Sequence, residues 1–321
     1  MMAAKEITSS RLLKLAQKFN CFYLSGFEKG DCRPFFVGNH QVGLVRPDVT
    51  KHLSKYPEVF LVQPQAVILN PAFRDYCERT DKMDKFLKEC RSHNAFITLK
   101  GWRDESYEVR PSFCHEPLLR IERSATCLFG ICNYGVDING YVIDPEKGLC
   151  IWLQRRSPTK QTWPGKWDNM VGGGLSCGFS VLETAHKEAE EEASIPRELL
   201  ANLKSGGCVS FYFESERGLF PNTEFVFDLE LPVDFIPTNN DGEVDKFELL
   251  TAKEFLERCF STDFKTTSCP VALDFLIRHG VITPETEPNF LELVELLHVP
   301  LQGLYKRFPQ PPNENGRNET E

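Results

Sequence analysis

The sequence predicts an α+β protein built from two folded domains, and three observations support this prediction. The chain has 321 residues, which exceeds the size of one average domain and suits two. A strand-like run, three consecutive glycines and an acidic helical segment follow one another between residues 149 and 193. Runs with the alternation of strands and segments with the periodicity of helices occur in both halves of the chain, which is typical of an α+β fold.

The composition is that of a globular protein with an ordinary core. Hydrophobic residues make up 41% of the chain and charged residues 26%, close to the averages for soluble proteins. The net charge of -9 argues against a nucleic-acid partner, because backbone binders are usually basic, but it permits a small phosphorylated substrate. The 12 cysteines include no CxxC pair, and we expect them to be reduced thiols.

The sequence gives no indication of a membrane partner. No apolar run approaches the ~20 residues that a membrane-spanning helix requires, and we see no apolar signal-peptide core near the start of the chain. Basic and apolar residues at 11–19 have some features of a mitochondrial presequence, but Glu6 and the continuation into folded-looking sequence favour a plain helix. We therefore expect a cytoplasmic protein.

The first domain is predicted to cover residues 1–122 as a small α+β unit without a recognisable chemical motif. Its elements should be an amphipathic helix, a hairpin around Gly38, a helix for which Asp48 is a possible cap, two strands and a further helix. The first helix is predicted at residues 8–24 and the hairpin at residues 35–45. The second helix begins at residue 46, the two strands lie at residues 59–62 and 66–69, and the last helix lies around Phe86 and Leu87.

The second domain is predicted at residues 123–290, and residues 291–321 form a C-terminal extension. The polar, proline-rich tail from Phe308 is expected to be disordered. Strands of the second domain are predicted at residues 127–134, 140–143, 149–153, 208–213, 224–231 and 247–250, with helices at 251–260 and 268–279.

The segment after Gly172–Gly174 predicts a helix that concentrates acidic residues. Ser180, with a glutamate three positions later, forms a capping-box pattern. Glu188, Glu191 and Glu192 follow at i, i+3 and i+4, which brings their carboxylates to one helix face. Such a face is either solvated or binds a divalent cation, because hard cations prefer carboxylate oxygens.

The spacing of this segment resembles the Nudix box, G-x5-E-x7-R-E-U-x-E-E-x-G-U, in which U is an aliphatic residue. The matching positions are Gly173, Glu188, Ala189, Glu191, Glu192 and Ile195. The departures are Phe179 for the early glutamate, Lys187 for the arginine and Ser194 for the late glycine.

This resemblance covers about residues 125–285 and implies a Nudix α/β/α sandwich with a mixed sheet. It implies that the three box glutamates hold Mg2+, with Mn2+ as an alternative, and that Lys187 holds them in position by a salt bridge. In the family, an acidic residue in a loop equivalent to 237–246 often serves as general base or extra metal ligand. Glu243 is our first candidate for that role, and Asp245 is the second.

Other residues near the motif are candidates for binding substrate. Arg155 and Arg156 could pair with a diphosphate, since guanidinium matches phosphate oxygens, or they could be surface residues of an edge strand. Trp163 and Trp167 could stack a heterocycle or could be buried for structural reasons. Gly173 is expected in a glycine loop that turns sharply and approaches the ligand closely.

Further motifs are similar to a eukaryotic Nudix subgroup found in fungi, plants and invertebrates, some members of which are fused to thiamine diphosphokinase. The motifs are WLQRRS at 152–157, WPGKWDNMV at 163–171 and KEAEEEAS at 187–194. By this resemblance the enzyme would convert oxidised or oxo analogues of thiamine diphosphate to monophosphates, which clears damaged cofactor. The alternatives are a hydrolase of another nucleoside diphosphate derivative, an isomerase, and a catalytically weak binding or regulatory module. The oligomeric state is not predicted.

Overall fold

A computed structural model describes residues 10–26 and 30–305, which form two compact units. The acidic-helix unit comprises residues 10–26, 133–214 and 220–299. The companion unit comprises residues 30–132, 215–219 and 300–305. No helix within these described residues is long and apolar enough to cross a membrane.

The chain contains runs of strands and runs of helices, as the α+β prediction requires. The helices are α1 Arg11–Phe19, α2 Pro47–Leu53, α3 Tyr76–Ser92, α4 Val181–Ala193, α5 Arg197–Leu200, α6 Ala252–Cys259, α7 Cys269–Arg278, α8 Phe290–Leu296 and α9 Leu301–Leu304. The strands are β1 Arg33–Val37, β2 His40–Val45, β3 Phe60–Gln63, β4 Ala66–Leu69, β5 Ser106–Val109, β6 Leu119–Glu122, β7 Asn133–Asp144, β8 Gly148–Arg156, β9 Trp167–Asn169, β10 Val171–Gly174, β11 Lys204–Ser215, β12 Gly218–Glu230 and β13 Val244–Thr251.

The companion unit is built on a four-stranded sheet in the order β2-β1-β4-β3. Strands β1 and β4 are parallel, and the other neighbours are antiparallel. Aromatic rings form much of its core: Phe60 lies 4.9 Å from Phe86 and 5.9 Å from Phe129, between ring centroids. The predicted hairpin and two strands are confirmed. Asp48, however, lies in the first turn of α2 rather than at its cap, because Pro47 takes the first helical position, where its fixed φ suits the helix.

The acidic-helix unit is a mixed sheet between two layers of helices. The strand order is β11-β12-β7-β8-β13, with β10 paired to β7 and β9 paired to β8. Strands β12 and β7 run parallel, whereas the pairs β10–β7, β7–β8, β8–β13 and β8–β9 are antiparallel. Trp152 on β8 packs in the core with α4, whereas its neighbours Ile151 and Leu153 pack with α1, α7 and α8. Since adjacent strand residues face opposite sides, the helices cover both faces, which confirms the predicted α/β/α sandwich.

The two units divide the chain differently from the predicted boundaries at residues 122 and 290. Helix α1, assigned to the first domain from its position in the sequence, packs with α7 and α8 of the acidic-helix unit. Asn20 fixes its end, because its side chain donates to the Leu296 carbonyl at 2.6 Å and accepts from the Tyr212 amide at 3.0 Å. Helix α8, which was not predicted, extends this unit to residue 299. The tail from Phe308 lies outside the described residues.

The predicted strand at residues 127–134 is wrong. Arg123–Leu128 forms a 3-10 helix, and β7 begins only at Asn133. The Thr126 carbonyl accepts from the amides of both Phe129 and Ile131, which closes a turn instead. The apolar side chains there are buried, so the apolar run in the sequence arises from a buried turn and not from a strand. A short apolar run does not by itself distinguish a strand from other buried structure.

Candidate active site

Helix α4 begins and ends with well-defined caps. The Glu183 amide donates to Ser180 Oγ at 3.3 Å, and the Ser180 amide donates to Glu183 Oε2 at 2.9 Å, which confirms the predicted capping box. At the other end, Ser194 adopts the left-handed conformation with φ 51°. Glycine favours that conformation, so the departure from glycine at this position leaves the geometry of the helix end intact.

The three glycines before α4 form a strand rather than the predicted turn. Val171–Gly174 is strand β10, paired antiparallel with β7. A Cβ atom added to Gly173 would lie under 3.0 Å from three atoms of the Glu188 side chain. The missing side chain at Gly173 therefore makes room for a carboxylate of α4, and this gives the glycine a role other than the predicted approach to substrate.

Glu192 is the most enclosed carboxylate of the motif, with 1% of its surface exposed. Its Oε2 accepts from Gln154 Nε2 at 3.0 Å and from the Gly172 amide at 2.9 Å. Its Oε1 lies 4.0 Å from Lys160 Nζ. Burial raises the pKa of Glu192 to about 7, although the Gly172 amide and Lys160 act in the opposite direction. The side chain is thus held in one orientation. The groups around it compensate its negative charge only in part.

Glu188 and Glu191 occupy more open positions than Glu192. Their side chains are 16% and 43% exposed, and Lys187 Nζ lies 3.3 Å from Glu188 Oε1 and 2.7 Å from Glu191 Oε2. Burial would lower the pKa of Lys187, but the contacts with Glu191 and Glu188 raise it overall. The prediction of one shared face is therefore only partly right, since Glu192 turns inward to the sheet and Glu191 faces outward.

The residues around Glu192 fit a divalent cation by the chemistry of their donors. Within residues 10–26 and 30–305, no three His, Cys, Asp or Glu side chains converge closely enough to form a ready ligand set. However, the buried Oε1 atoms of Glu192 and of its neighbour Gln154 have no hydrogen-bond partner in the described part of the chain. Buried oxygens of this kind need a partner, and oxygen is the ligand that hard cations prefer.

The loop from residue 231 to residue 243 lies against the end of α4. The Asn240 amide donates to the Glu191 carbonyl at 3.2 Å, and the Thr238 amide donates to the Ala193 carbonyl at 3.3 Å. This brings Glu243, whose side chain is 48% exposed, into an ion pair with Lys160. Asp245, the second candidate from the sequence, lies exposed on β13.

The two predicted arginines differ in their surroundings. Arg156 is buried, and its guanidinium donates to Asp168 Oδ2 at 3.0 Å and to the Thr162 carbonyl at 3.1 Å. These contacts make Arg156 a structural residue, which corrects its assignment to substrate. The guanidinium carbon of Arg155 lies 5.8 Å from the centre of the Trp167 ring. Because Gln154, its neighbour on β8, faces α4, Arg155 faces the opposite side of the sheet, which does not support its predicted contact with substrate.

The two predicted tryptophans also differ. Trp167 is buried on β9, so its aromatic ring packs within the protein instead of stacking a ligand. Trp163 is half-buried and has a positive φ of 53°. A bulky residue rarely adopts this conformation, which is enriched at ligand-binding sites. Trp163 is therefore the better candidate for contact with a heterocycle.

Several polar residues around the motif were not identified from the sequence. Gln154 and Lys160 contact or approach Glu192 from β8 and from the segment that follows it. Asp168 is buried, and Lys265 and Arg156 outweigh burial and lower its pKa. Burial raises the pKa of Asp137 to about 6. One signal was available for Gln154: it shares the strand parity of Trp152, so a polar side chain at an inward position was predictable.

Comparison with known proteins finds similarity in both the N-terminal and the C-terminal parts of the chain. Two family models match: residues 11–133 match a domain of unknown function (DUF4743), and residues 133–267 match the NUDIX domain. The chain is 39% identical over 278 residues to Nudix hydrolase 24, chloroplastic, of Arabidopsis thaliana, covering 85% of this chain and 74% of that protein.

Two further relatives match most of the chain. It is 33% identical over 302 residues to Nudix hydrolase 20, chloroplastic, of Arabidopsis thaliana, covering 91% of this chain and 79% of that protein. It is 37% identical over 256 residues to the uncharacterized protein YJR142W of Saccharomyces cerevisiae, covering 76% of this chain and 74% of that protein.

Proposed function

The chain belongs to the Nudix hydrolase family, and we propose that it cleaves oxidised or oxo analogues of thiamine diphosphate to the monophosphates. As a Nudix enzyme it is a pyrophosphohydrolase, which acts on the anhydride bond between two phosphoryl groups. The thiamine part of the proposal is supported by the motifs at residues 152–157, 163–171 and 187–194, which are similar to those of the subgroup described above. Such an activity would clear damaged cofactor.

The observation that carries the hydrolase proposal is the orientation of Glu192. Gln154 and the Gly172 amide hold one carboxylate oxygen, which leaves the other oriented as a ligand. Glu188, Glu191 and Glu192 would together hold Mg2+ or Mn2+. The bound ion would neutralise charge on the phosphate oxygens and lower the pKa of a water molecule.

The other residues of the site have separate roles in this proposal. Lys187 keeps Glu188 and Glu191 in position through its two ion pairs. Glu243 on the loop accepts the proton of the attacking water, as a general base. Trp163 stacks the heterocycle of the substrate. The assignment of Glu243 rests on its ion pair with Lys160, and that of Trp163 rests on its partial exposure and its positive φ.

The proposal is tested by hydrolysis of a substrate panel in the presence of Mg2+. The panel contains thiamine diphosphate, its oxo and oxy analogues, ADP-ribose, coenzyme A and NADH. The variant Glu192→Gln should lose activity by about 100-fold or more, the range for removal of a catalytic carboxylate. Glu190→Gln is the matched control, because Glu190 is an exposed glutamate of the same helix and should keep activity within about twofold, as for other surface substitutions.

Each other outcome of the panel selects a different function. Cleavage of the nucleotides alone would support the hydrolase activity, but it would show that the substrate is another nucleoside diphosphate derivative and not a thiamine analogue. An unchanged diphosphate in the product, seen by phosphorus NMR, would indicate an isomerase. Tight binding without turnover would indicate a binding or regulatory module, and near-normal hydrolysis by Glu192→Gln would contradict the assignment of the site.

The cytoplasmic location stays a prediction in this proposal. The names of the two Arabidopsis relatives include the word chloroplastic, which describes those proteins. Fractionation of cells that express the full chain would decide the compartment. Recovery with an organelle would replace the predicted location.

A further inference from the structure

We propose that Lys160 is a positioning residue that joins the loop carboxylate of Glu243 to the buried Glu192. This inference deepens the proposed function, because Glu243 acts as general base only if the loop holds it beside the metal-binding carboxylates. Nothing in the motif itself indicates Lys160, which lies on the segment between β8 and β9. The inference concerns the position of the loop and can be tested without a substrate.

Lys160 lies between two carboxylates from different parts of the chain. Its side chain is 15% exposed, its Nζ is 4.0 Å from Glu192 Oε1, and it forms an ion pair with Glu243. Two carboxylates on either side of the same group disfavour each other's ionised form. An ammonium group between them offsets that repulsion, and its flexible four-carbon stem lets it reach both.

The segment that carries Lys160 is itself fixed to the protein on both sides. The Ser157 amide donates to the Glu243 carbonyl at 2.8 Å, so the backbone brings this segment to the loop. Arg156 holds the far side of the segment through the Thr162 carbonyl. The ammonium group of Lys160 is therefore presented from a fixed support, which a positioning residue requires.

The loop needs such a polar tie because part of it lacks an apolar anchor. Residues 238–243 are all polar or glycine and all exposed, whereas burial of apolar surface is the main source of stability elsewhere in the fold. Phe235 packs against the core with α4, but the Glu243 end of the loop is polar. Loss of the Lys160 contact should therefore release that end and leave the Phe235 end in place.

The test measures amide hydrogen exchange of the loop peptides in the full chain. Lys160→Met removes the charge at similar length and should raise exchange of the 237–243 region by about two- to fivefold, the range for a partly exposed ion pair. Lys160→Arg should largely restore protection. Lys166→Met is the control: this lysine of the same segment donates to the Thr262 carbonyl at 2.8 Å and should leave the loop unchanged.

A second variant covers the case in which Lys160→Met does not fold. Glu243→Gln breaks the same pair from its exposed side and should give the same increase in exchange. Unchanged loop exchange in either folded variant would overturn the inference. Because this measurement uses no substrate, its result is independent of whether the proposed thiamine substrate is correct.

Kinetics on the substrate that the wild-type chain cleaves separates positioning from substrate binding. Positioning predicts that Lys160→Met lowers kcat about tenfold, while KM changes by less than about twofold. It also predicts that Lys160→Met lowers kcat little further once Glu243 is replaced by Gln, because no base is then left to position. A raised KM with additive effects would show instead that Lys160 binds substrate and would overturn the positioning role.

Discussion

The closest packing in the site predicts that Gly173→Ala will displace a metal-binding carboxylate and leave the fold intact. A methyl group at this position would overlap Glu188 at distances under 3.0 Å, and the overlapped atoms belong to the outer part of a flexible side chain. The carboxylate can move aside, so we expect a loss of about 1–2 kcal/mol in the free energy of unfolding, the lower range for overpacking. Displacement of about 1 Å at a reacting centre lowers kcat by about 100-fold.

A double-variant cycle isolates this overlap from the general effect of replacing glycine. In a Glu188→Ala background the methyl group has room, and Gly173→Ala should raise the free energy of unfolding by about 0.5 kcal/mol, because alanine reduces the entropy of the unfolded chain. Urea unfolding of the four proteins gives the effect of Gly173→Ala in each background. The two effects should have opposite signs, and the coupling energy, which is their difference, should be about 2 kcal/mol. Equal effects of Gly173→Ala in both backgrounds would refute the reasoning.

Three further predictions concern charge and backbone conformation. The pKa of Glu192 rises from 4.5 to about 7 on folding, so without metal this group ionises first in the unfolded chain. Through this group the free energy of unfolding falls by up to about 3 kcal/mol between those pH values. Urea titrations with a chelator should show a fall that is smaller by about this amount in Glu192→Gln, while the part due to Asp137, whose pKa is also raised, remains. Arg156→Met should lower the free energy of unfolding by about 3 kcal/mol, because it removes one partner of the buried Asp168; an unchanged urea midpoint would contradict the structural role. Ser194→Gly should raise the free energy of unfolding by about 1 kcal/mol, since the backbone at this position is left-handed. Thermal unfolding measures this change, and a lower midpoint in the variant would contradict the prediction.

Local patterns made much of the acidic-helix unit predictable. The capping box at Ser180 and the spacing of the glutamates depend only on neighbours within two helical turns, so the sequence contains all the necessary information. The same holds for the hairpin between β7 and β8, where the turn residues are adjacent. Such features do not require knowledge of how the strands are arranged.

The residues that complete the site could not be found in this way, because their contacts are long-range. Gln154 meets Glu192 across 38 positions of sequence, and the contact depends on the register of β8 in the sheet. The sequence predicts a turn at the triple glycine, because glycine is permissive in turns. In the structure the same residues are extended, since a close approach by Glu188 also requires the absence of a side chain.

The three glutamates of the motif have distinct environments, and the sheet creates the difference. Glu192 points at β8 and β10, where an amide and a side chain fix one oxygen. Glu188 lies over the space left by Gly173, and Glu191 lies at the surface, within reach of Lys187. A spacing of i, i+3 and i+4 places such residues on one side of a helix but leaves their burial to the element below. Rotation of α4 against β10 would therefore change all three positions together, so the space left by Gly173 on the strand helps to position the glutamates on the helix.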